Sequence, residues 1–216
     1  KTERFRGFIY RRHYPLPKIH QGLQLIMIYE QLGHYIKKNI AVSDEDLNTI
    51  LSCFKPLKHK KNDLLLSQGQ TSQYTYFVGK GCLRIYFINE EGKDVTRYIA
   101  FENQLSTALV SFITGLPSTE YIQVIEKSEL LCISHEDFKN LTKSIPQWQE
   151  FYCKYLEKAY VNNANRLMSF TTMNALERYN LLLKINPGIV KRLPNKIVAS
   201  YINISQETLS RLKSKV

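Results

Sequence analysis

The 216-residue sequence lacks long apolar runs and paired cysteines, and each absence excludes a class of protein. Because its longest apolar runs span only a few residues, we expect no membrane-spanning segment. The cysteines are widely spaced and form no CxxC pair, so we expect neither a disulfide scaffold nor a zinc ribbon. They are Cys53, Cys82, Cys132 and Cys153. Such spacing favours reduced thiols and a cytoplasmic location.

The sequence also lacks the local signatures of catalysis and of secretion. It contains no GxSxG, P-loop or HExxH motif, so the usual signatures of α/β-hydrolases, P-loop nucleotide-binding proteins and zinc metalloproteases are missing. Adjacent acids at Glu90-Glu91 and Glu136-Asp137 fall in predicted turn or capping positions. The basic first residues are not followed by an apolar core and a cleavage site, so we expect no signal peptide. We predict no catalytic residue, no metal site and no cofactor, and therefore a protein that is not an enzyme.

Positive charge is in excess, and the excess lies at the two ends of the chain. The sequence has 30 Lys and Arg against 19 Asp and Glu, a formal net charge of +11. Residues 1–26 carry six basic residues against one acidic, and residues 171–216 carry eight against two. The stretch between them is neutral overall. A solubilising surface is one interpretation of the basic C-terminal segment, and binding to a polyanion is the other.

The patterns along the chain divide it into four segments. Residues 1–26 form a basic N-terminal arm without a regular period. A β-rich body follows over residues 27–145, then a long helix over 146–170 and a helix-turn-helix domain over 171–216. Two interpretations of the arm stay open: an arm that contacts DNA, or non-native sequence translated upstream of a start at Met27.

Short β-rich runs bounded by turn signals dominate residues 54–134, and no long helix pattern separates them. The predicted strands are Asp63–Ser67, Tyr74–Val78, Cys82–Ile88, Val95–Phe101, Tyr121–Ile125 and Leu130–Ile133. This spacing predicts an antiparallel β-roll of the jelly-roll type, in a protein of the α+β class. Helices are expected on either side of it, from Met27, from the N-cap Ser43 and from His135.

A stripe of apolar side chains at helical spacing follows Pro146 and continues for about twenty residues. Its members are Trp148, Tyr152, Leu156, Tyr160, Ala164 and Leu167, with Phe151 and Tyr155 beside them. The stripe indicates two apolar faces. One face can pack on the roll, and a second copy of the helix is the simplest cover for the other, which predicts a homodimer. The alternative is a single wide core face.

Residues 196–212 have the organisation of a helix-turn-helix. Ala199 is small where two helices must approach closely, and Asn203 lies at the turn, where a left-handed backbone is needed. Ser205 is a suitable N-cap, so the second helix is predicted to begin at Gln206. A small strand is predicted before this motif, over Ile189–Leu193.

The exposed face of the second helix carries side chains that can read base edges in a major groove. The predicted base-reading residues are Gln206, Glu207, Ser210 and Arg211. Arg211 can donate two hydrogen bonds to guanine, and Glu207 can accept one from the cytosine amine. Glu207 and Arg211 are four residues apart and can hold each other in position, although an ordinary surface ion pair is the alternative. Phosphate contacts are predicted for Lys196, Ser205, Lys213 and Lys215.

Over about residues 27–216 the sequence resembles the Crp/Fnr transcription regulators. The segments Val198-Ala199 and Asn203–Arg211 resemble the family's recognition-helix signature. The β region resembles its cyclic nucleotide-binding roll through Leu64–Gly69, Tyr76–Gly81 and Glu91–Lys93. The resemblance implies a winged helix-turn-helix and a bacterial, cytoplasmic homodimer. Its expected partners are RNA polymerase and double-stranded DNA with a two-fold symmetric site.

The resemblance also assigns roles to residues of the recognition helix. It implies that Glu207 and Arg211 read a TGA-type half-site. At Gln206 the sequence departs from the family, which often has an arginine there. A rival hypothesis of another class keeps the roll as a ligand-binding or protein-interaction module without specific DNA recognition.

The sequence departs from the family pattern most where cyclic AMP would bind. Members that bind it hold the phosphate with a Gly-Glu pair and a later Arg-Ser or Arg-Thr, since a buried phosphate needs amides and a fixed cation. Here the first pair is Thr107-Ala108 and the later position is Ser118, followed by Thr119 and Glu120. The cation is missing and Glu120 adds an anion. We therefore expect no physiological binding of cyclic AMP or cyclic GMP, and the effector is unknown.

Overall fold

The computed structural model describes residues 19–214, and this part of the chain contains nine helices and eight strands. The helices are α1 Ile19–Asn39, α2 Asp44–Ser52, α3 Leu109–Thr114, α4 His135–Ser144, α5 Pro146–Thr172, α6 Ala175–Ile185, α7 Pro187–Arg192, α8 Asn195–Tyr201 and α9 Gln206–Lys213. The strands are β1 Lys55–His59, β2 Leu64–Leu66, β3 Tyr74–Lys80, β4 Leu83–Ile88, β5 Asp94–Ala100, β6 Gln104–Ser106, β7 Tyr121–Val124 and β8 Ser128–Ser134. Most of the predicted basic arm (residues 1–18) and the predicted phosphate contact Lys215 lie outside the described residues. Among the described helices, none combines the length and the apolarity needed to cross a membrane.

The eight strands form two antiparallel sheets, which confirms the predicted β-roll. One sheet has the strand order β1-β8-β3-β6 and the other β2-β7-β4-β5. Their facing sides enclose a core that includes Val78, Leu83 and Ile122. The tight β3–β4 turn depends on Gly81, which has φ of +104° and a backbone so close to Ser128 that an added Cβ would lie 2.1 Å from its Oγ.

A second core lies between the first sheet and the helices around it. Leu32 and Ile36 of α1 pack there with Phe77, Phe138 and Trp148, all of them buried. The α1 helix begins at Ile19 rather than near Met27, where the apolar pattern becomes clear. The predicted N-cap of α2 is confirmed, because the Ser43 Oγ accepts a hydrogen bond of 3.1 Å from the Asp46 N–H.

The C-terminal helices α6 to α9 form a module that packs on the roll through a third core. Leu193 and Val198 are buried there against Ile99 and Ile125 of the roll. The predicted strand over Ile189–Leu193 is wrong, since this stretch lies in or directly after α7. Pro187 begins α7 with a backbone φ already suited to a helix. Residues 173–214 contain no strand in the described structure, so the wing of the predicted winged motif is absent from this part.

Candidate nucleic-acid interface and its contacts with the roll

The α8–turn–α9 segment has the local geometry of a helix-turn-helix. Asn203 in the turn has φ of +54°, the left-handed conformation that the sequence predicts there. Ser205 caps α9, since its Oγ accepts a hydrogen bond of 3.1 Å from the Thr208 N–H. Ala199 and Leu209 are buried between the helices. The turn and the cap together fix how α9 leaves the module.

All four predicted base-reading side chains are exposed on α9: Gln206, Glu207, Ser210 and Arg211. A hydrogen bond with the Ser205 side chain, and the free amide at the start of α9, hold the pKa of Glu207 below its usual value. The nearby charge of Arg211 also lowers this pKa, but no hydrogen bond or ion pair joins Glu207 to Arg211 in the described structure. The Arg211 Nη2 instead donates to the Thr208 Oγ1 at 3.3 Å. The face therefore offers one carboxylate and one guanidinium, each held by its own neighbours.

The three predicted phosphate contacts that lie among the described residues are placed around this face: Lys196, Ser205 and Lys213. Lys196 is exposed at the start of α8, with its Nζ 3.9 Å from the Asp94 Oδ2 of the roll. The Lys213 Nζ donates to the Asn195 Oδ1 at 2.6 Å, so it lies beside the same end of α8. Ser205 is engaged as the cap of α9.

Arg178 of α6 donates hydrogen bonds to backbone carbonyls at the turn of the helix-turn-helix, a contact that the sequence did not predict. Its Nε donates to the Ile202 carbonyl at 2.9 Å and its Nη2 to the Asn203 carbonyl at 3.3 Å. Its Nη1 donates to the Met173 carbonyl at 2.6 Å. The guanidinium thus satisfies carbonyl groups that the end of α8 leaves without helical partners. In the sequence, Arg178 contributes only to the charge count.

Besides the pair of Lys196 with Asp94, Ser200 and Arg192 form polar contacts between the module and the roll. The Ser200 Oγ donates to the Asp94 carbonyl at 2.8 Å and accepts from the Thr96 N–H at 2.8 Å. Arg192 binds two carboxylates of the roll, with its Nη2 2.7 Å from the Glu102 Oε1 and its Nε 2.8 Å from the Glu126 Oε1. These hydrogen bonds from Arg192 are the main reason that the pKa of Glu102 falls to about 2.

The five predicted effector residues lie in and around the segment from β6 to β7. Thr107, Ala108 and Ser118 are buried, Glu120 is partly buried and Thr119 is exposed. The Thr107 Oγ1 donates to the Tyr74 carbonyl at 2.9 Å, and the Ser118 Oγ accepts from the Glu120 N–H at 2.9 Å. Of these five, Thr107 lines a cavity of about 50 Å³ between the roll and α5, which has room for only a few water molecules.

A cation does lie beside Glu120, contrary to the expectation from the sequence. The Arg97 Nη2 donates to the Glu120 Oε2 at 3.0 Å, and the Arg97 Nε donates to the Oε1. This bidentate pair joins β5 to the segment before β7. The sequence gives no sign of the pair, because its members are 23 residues apart and lie in different elements. Elsewhere in residues 19–214, no group of three or more His, Cys, Asp or Glu side chains could hold a metal ion.

The roll and the overall fold are similar to those of known proteins. Residues 56–144 match the family model of the cyclic nucleotide-binding domain. No curated protein sequence matches the chain. Among solved structures, FixK2 from Bradyrhizobium japonicum has a TM-score of 0.66 at 13% identity, over 75% of this chain and 83% of that one.

Two further structures are similar. A protein from Eubacterium rectale assigned to the Crp/Fnr family of transcriptional regulators has a TM-score of 0.65 at 14% identity, over 81% of this chain and 83% of that one. CLP from Xanthomonas campestris, described as a c-di-GMP responsive global regulator, has a TM-score of 0.64 at 13% identity, over 80% and 91%. The chain therefore combines a roll that matches the cyclic nucleotide-binding domain family with the overall fold of the Crp/Fnr transcriptional regulators.

Proposed function

We propose that this protein is a sequence-specific DNA-binding transcription regulator. The observation that carries the proposal is the capped helix α9, whose exposed face offers Gln206, Glu207, Ser210 and Arg211 directly after the turn at Asn203. A helix of this kind fits the major groove with its N-terminal residues on base edges. The positive charge of residues 171–216 gives the module an attraction to DNA phosphates. The similarity of fold to known transcriptional regulators supports the same function.

The outer face of α5 supports a homodimer as the active form. Four large apolar side chains are exposed along it: Tyr160, Val161, Leu167 and Met168. A second copy of the helix would cover them and place the two modules symmetrically. The two recognition helices would then enter major grooves one helical turn apart, about 34 Å, on a two-fold symmetric site. Cytoplasmic DNA and RNA polymerase are the partners that this function implies.

Selection of bound sequences from a random DNA pool tests the proposal, and Arg211→Ala is the decisive variant. We expect a symmetric preferred site. The substitution should cost about 1–3 kcal/mol of binding and relax the preference at one base pair. Lys143→Ala removes the same charge from an exposed position of α4 beside the roll. It should leave both the DNA affinity and the sequence preference unchanged. Uniform weak binding to every sequence would instead favour a ligand-binding or protein-interaction roll without specific DNA recognition.

We further propose that neither cyclic AMP nor cyclic GMP controls the protein. Glu120 already neutralises Arg97, and the cavity beside Thr107 is only about 50 Å³. The phosphate of a cyclic nucleotide would lie beside the negatively charged carboxylate of Glu120, and this repulsion disfavours binding. Calorimetric titration of the full chain should give no binding heat with either nucleotide. Micromolar binding that disappears on Ser118→Ala or Glu120→Ala would contradict the proposal.

A further inference from the structure

A larger cavity of about 280 Å³ lies where β5, α5 and the C-terminal helices meet. Its lining contains four basic side chains, and no Asp or Glu of the described residues contributes to it. The four are Arg97, Lys158, Arg166 and Arg178. The volume is near the lower end of ligand pockets, about 300 Å³. A cavity with such a charge imbalance is suited to an anion.

Arg166 is the most informative of the four because its charge has no anionic partner in the described chain. Its Nη2 donates to the Thr96 carbonyl at 2.5 Å. The guanidinium lies 4.6 Å from the ring centre of Phe170 and 4.5 Å from that of Tyr201. Burial lowers the pKa of this guanidinium. Arg166 is partly buried, and neutral partners offset only part of the cost of partly removing its charge from water.

The other three basic groups leave the cavity positive. Arg178 directs its hydrogen bonds to three backbone carbonyls, which do not neutralise it. Lys158 is exposed at the rim and forms no ion pair with any described residue. Arg97 is neutralised by Glu120. Net positive charge therefore comes from Lys158, Arg166 and Arg178.

The rest of the lining has the opposite character. The rings of Phe170 and Tyr201 and the side chain of Leu182 supply apolar surface. We propose that this cavity binds a small organic anion, whose carboxylate or phosphate group pairs with Arg166 and whose apolar part packs on Phe170 and Tyr201. A charged pair of this kind is stronger than a neutral hydrogen bond.

Binding at this place would connect the sensor body to the turn that positions α9. Arg166 lies on α5, whereas Arg178 lies on α6 and holds the carbonyls of Ile202 and Asn203. An anion between the two guanidinium groups would favour one orientation of the module over others. This regulatory consequence rests on the proposed DNA-binding function, whereas the binding itself does not.

Calorimetry on the full chain with three small probes tests the binding. Phenyl phosphate and phenylacetate carry the two anionic groups on a similar aromatic part, and 2-phenylethanol is the uncharged match. We expect at least one anion to bind and to raise Tm, and the alcohol to do neither. The tighter of the two anions identifies the preferred head group. Equal or tighter binding of 2-phenylethanol, or binding of no probe, would overturn the proposal.

Matched variants assign the binding to this cavity. Arg166→Gln should weaken binding of the anion by at least about tenfold, which corresponds to about 1.4 kcal/mol. Lys158→Gln, at the exposed rim, should weaken it by a smaller factor and decides the test if Arg166→Gln fails to fold. Lys143→Gln loses the same charge outside the cavity and should bind as the unchanged chain does. Unchanged affinity in both cavity variants would contradict the assignment.

DNA selection on the same variants separates this inference from the proposed function. Sequence-specific DNA binding without any anion binding would refute the cavity alone. Anion binding without sequence-specific DNA binding would refute the DNA function and leave the cavity as a ligand site.

Discussion

Asn203 has a backbone conformation that few residue types adopt without strain. Its φ of +54° lies in the left-handed region, where a Cβ meets the following carbonyl oxygen in most residues. The exposed side chain of Asn203 forms none of the hydrogen bonds found in the described residues, whereas its carbonyl accepts one from Arg178. The backbone, rather than a side-chain contact, therefore determines which residues are tolerated here.

We expect Asn203→Ala to lower the free energy of unfolding by about 1 kcal/mol, because alanine is strained in this conformation. Asn203→Gly is the matched control and should change stability by much less, since glycine adopts positive φ freely. Urea denaturation of both variants measures the difference. Equal stability of the two variants would mean that the turn relaxes to another conformation.

Single residues also show what the sequence could and could not predict. Asn203, Ser205 and Ser43 were predictable because their roles depend on neighbours within a few positions of the chain. The Arg97–Glu120 pair and the contacts of Arg192 join residues that are 23, 66 and 90 positions apart. No local spacing predicts such pairs, because the fold alone brings them together.

At the scale of elements, predictions succeeded where apolar runs were bounded by turns and failed where tertiary pairing decided the outcome. β1 has the sequence KPLKH, with few apolar residues, and is a strand because it pairs with β8. α7 contains Ile189 and Val190, which favour strands, yet Pro187 at its start and packing in the third core make it helical. Short elements are the ones whose neighbours outweigh their own composition.

The long helix α5 yields a prediction about association. Leu167 on its outer face has 66% of its surface exposed, and we expect a partner helix to cover it. Leu167→Asp would place a charge in that interface and should convert a dimer into a monomer in sedimentation velocity. Leu116→Asp is the matched control, since Leu116 in the α3–β7 loop is 64% exposed, and it should leave the mass unchanged. An undisturbed dimer in the Leu167 variant would place the interface elsewhere.

At the scale of the whole molecule, the roll determines where the C-terminal module lies. The module buries Leu193 and Val198 against Ile99 and Ile125, so the two parts share a hydrophobic core. Arg192 adds ion pairs to Glu102 and Glu126 beside that core. Because charge pairs depend on protonation and apolar contacts do not, pH can separate the two contributions.

The ion pair between Glu102 and Arg192 allows the charge contribution to be measured apart from the apolar one. Its pKa of about 2 lies below the ordinary 4.5, chiefly because Arg192 donates hydrogen bonds to it. A lowered pKa stabilises the folded state fully above about pH 4.5, and this contribution is lost as the pH falls towards 2. Glu102→Gln should therefore be less stable than the unchanged chain at pH 7, with a deficit that shrinks below pH 4.5.

Urea denaturation across this pH range measures the effect. Glu136→Gln, at an exposed position of α4, serves as the control and should show a smaller change throughout. A deficit for Glu102→Gln that does not depend on pH would show that the ion pair with Arg192 contributes little to stability.

The pair between Arg97 and Glu120 has a consequence for the evolution of ligand specificity. The roll already holds a guanidinium next to its own carboxylate, so a new anion site requires no new basic residue. Every glutamate codon becomes a glutamine, alanine or glycine codon by a single base change. One such mutation at position 120 would release Arg97 from its internal counter-ion. A guanidinium free to bind an anion is thus one base change away in this roll, and its loss is equally close.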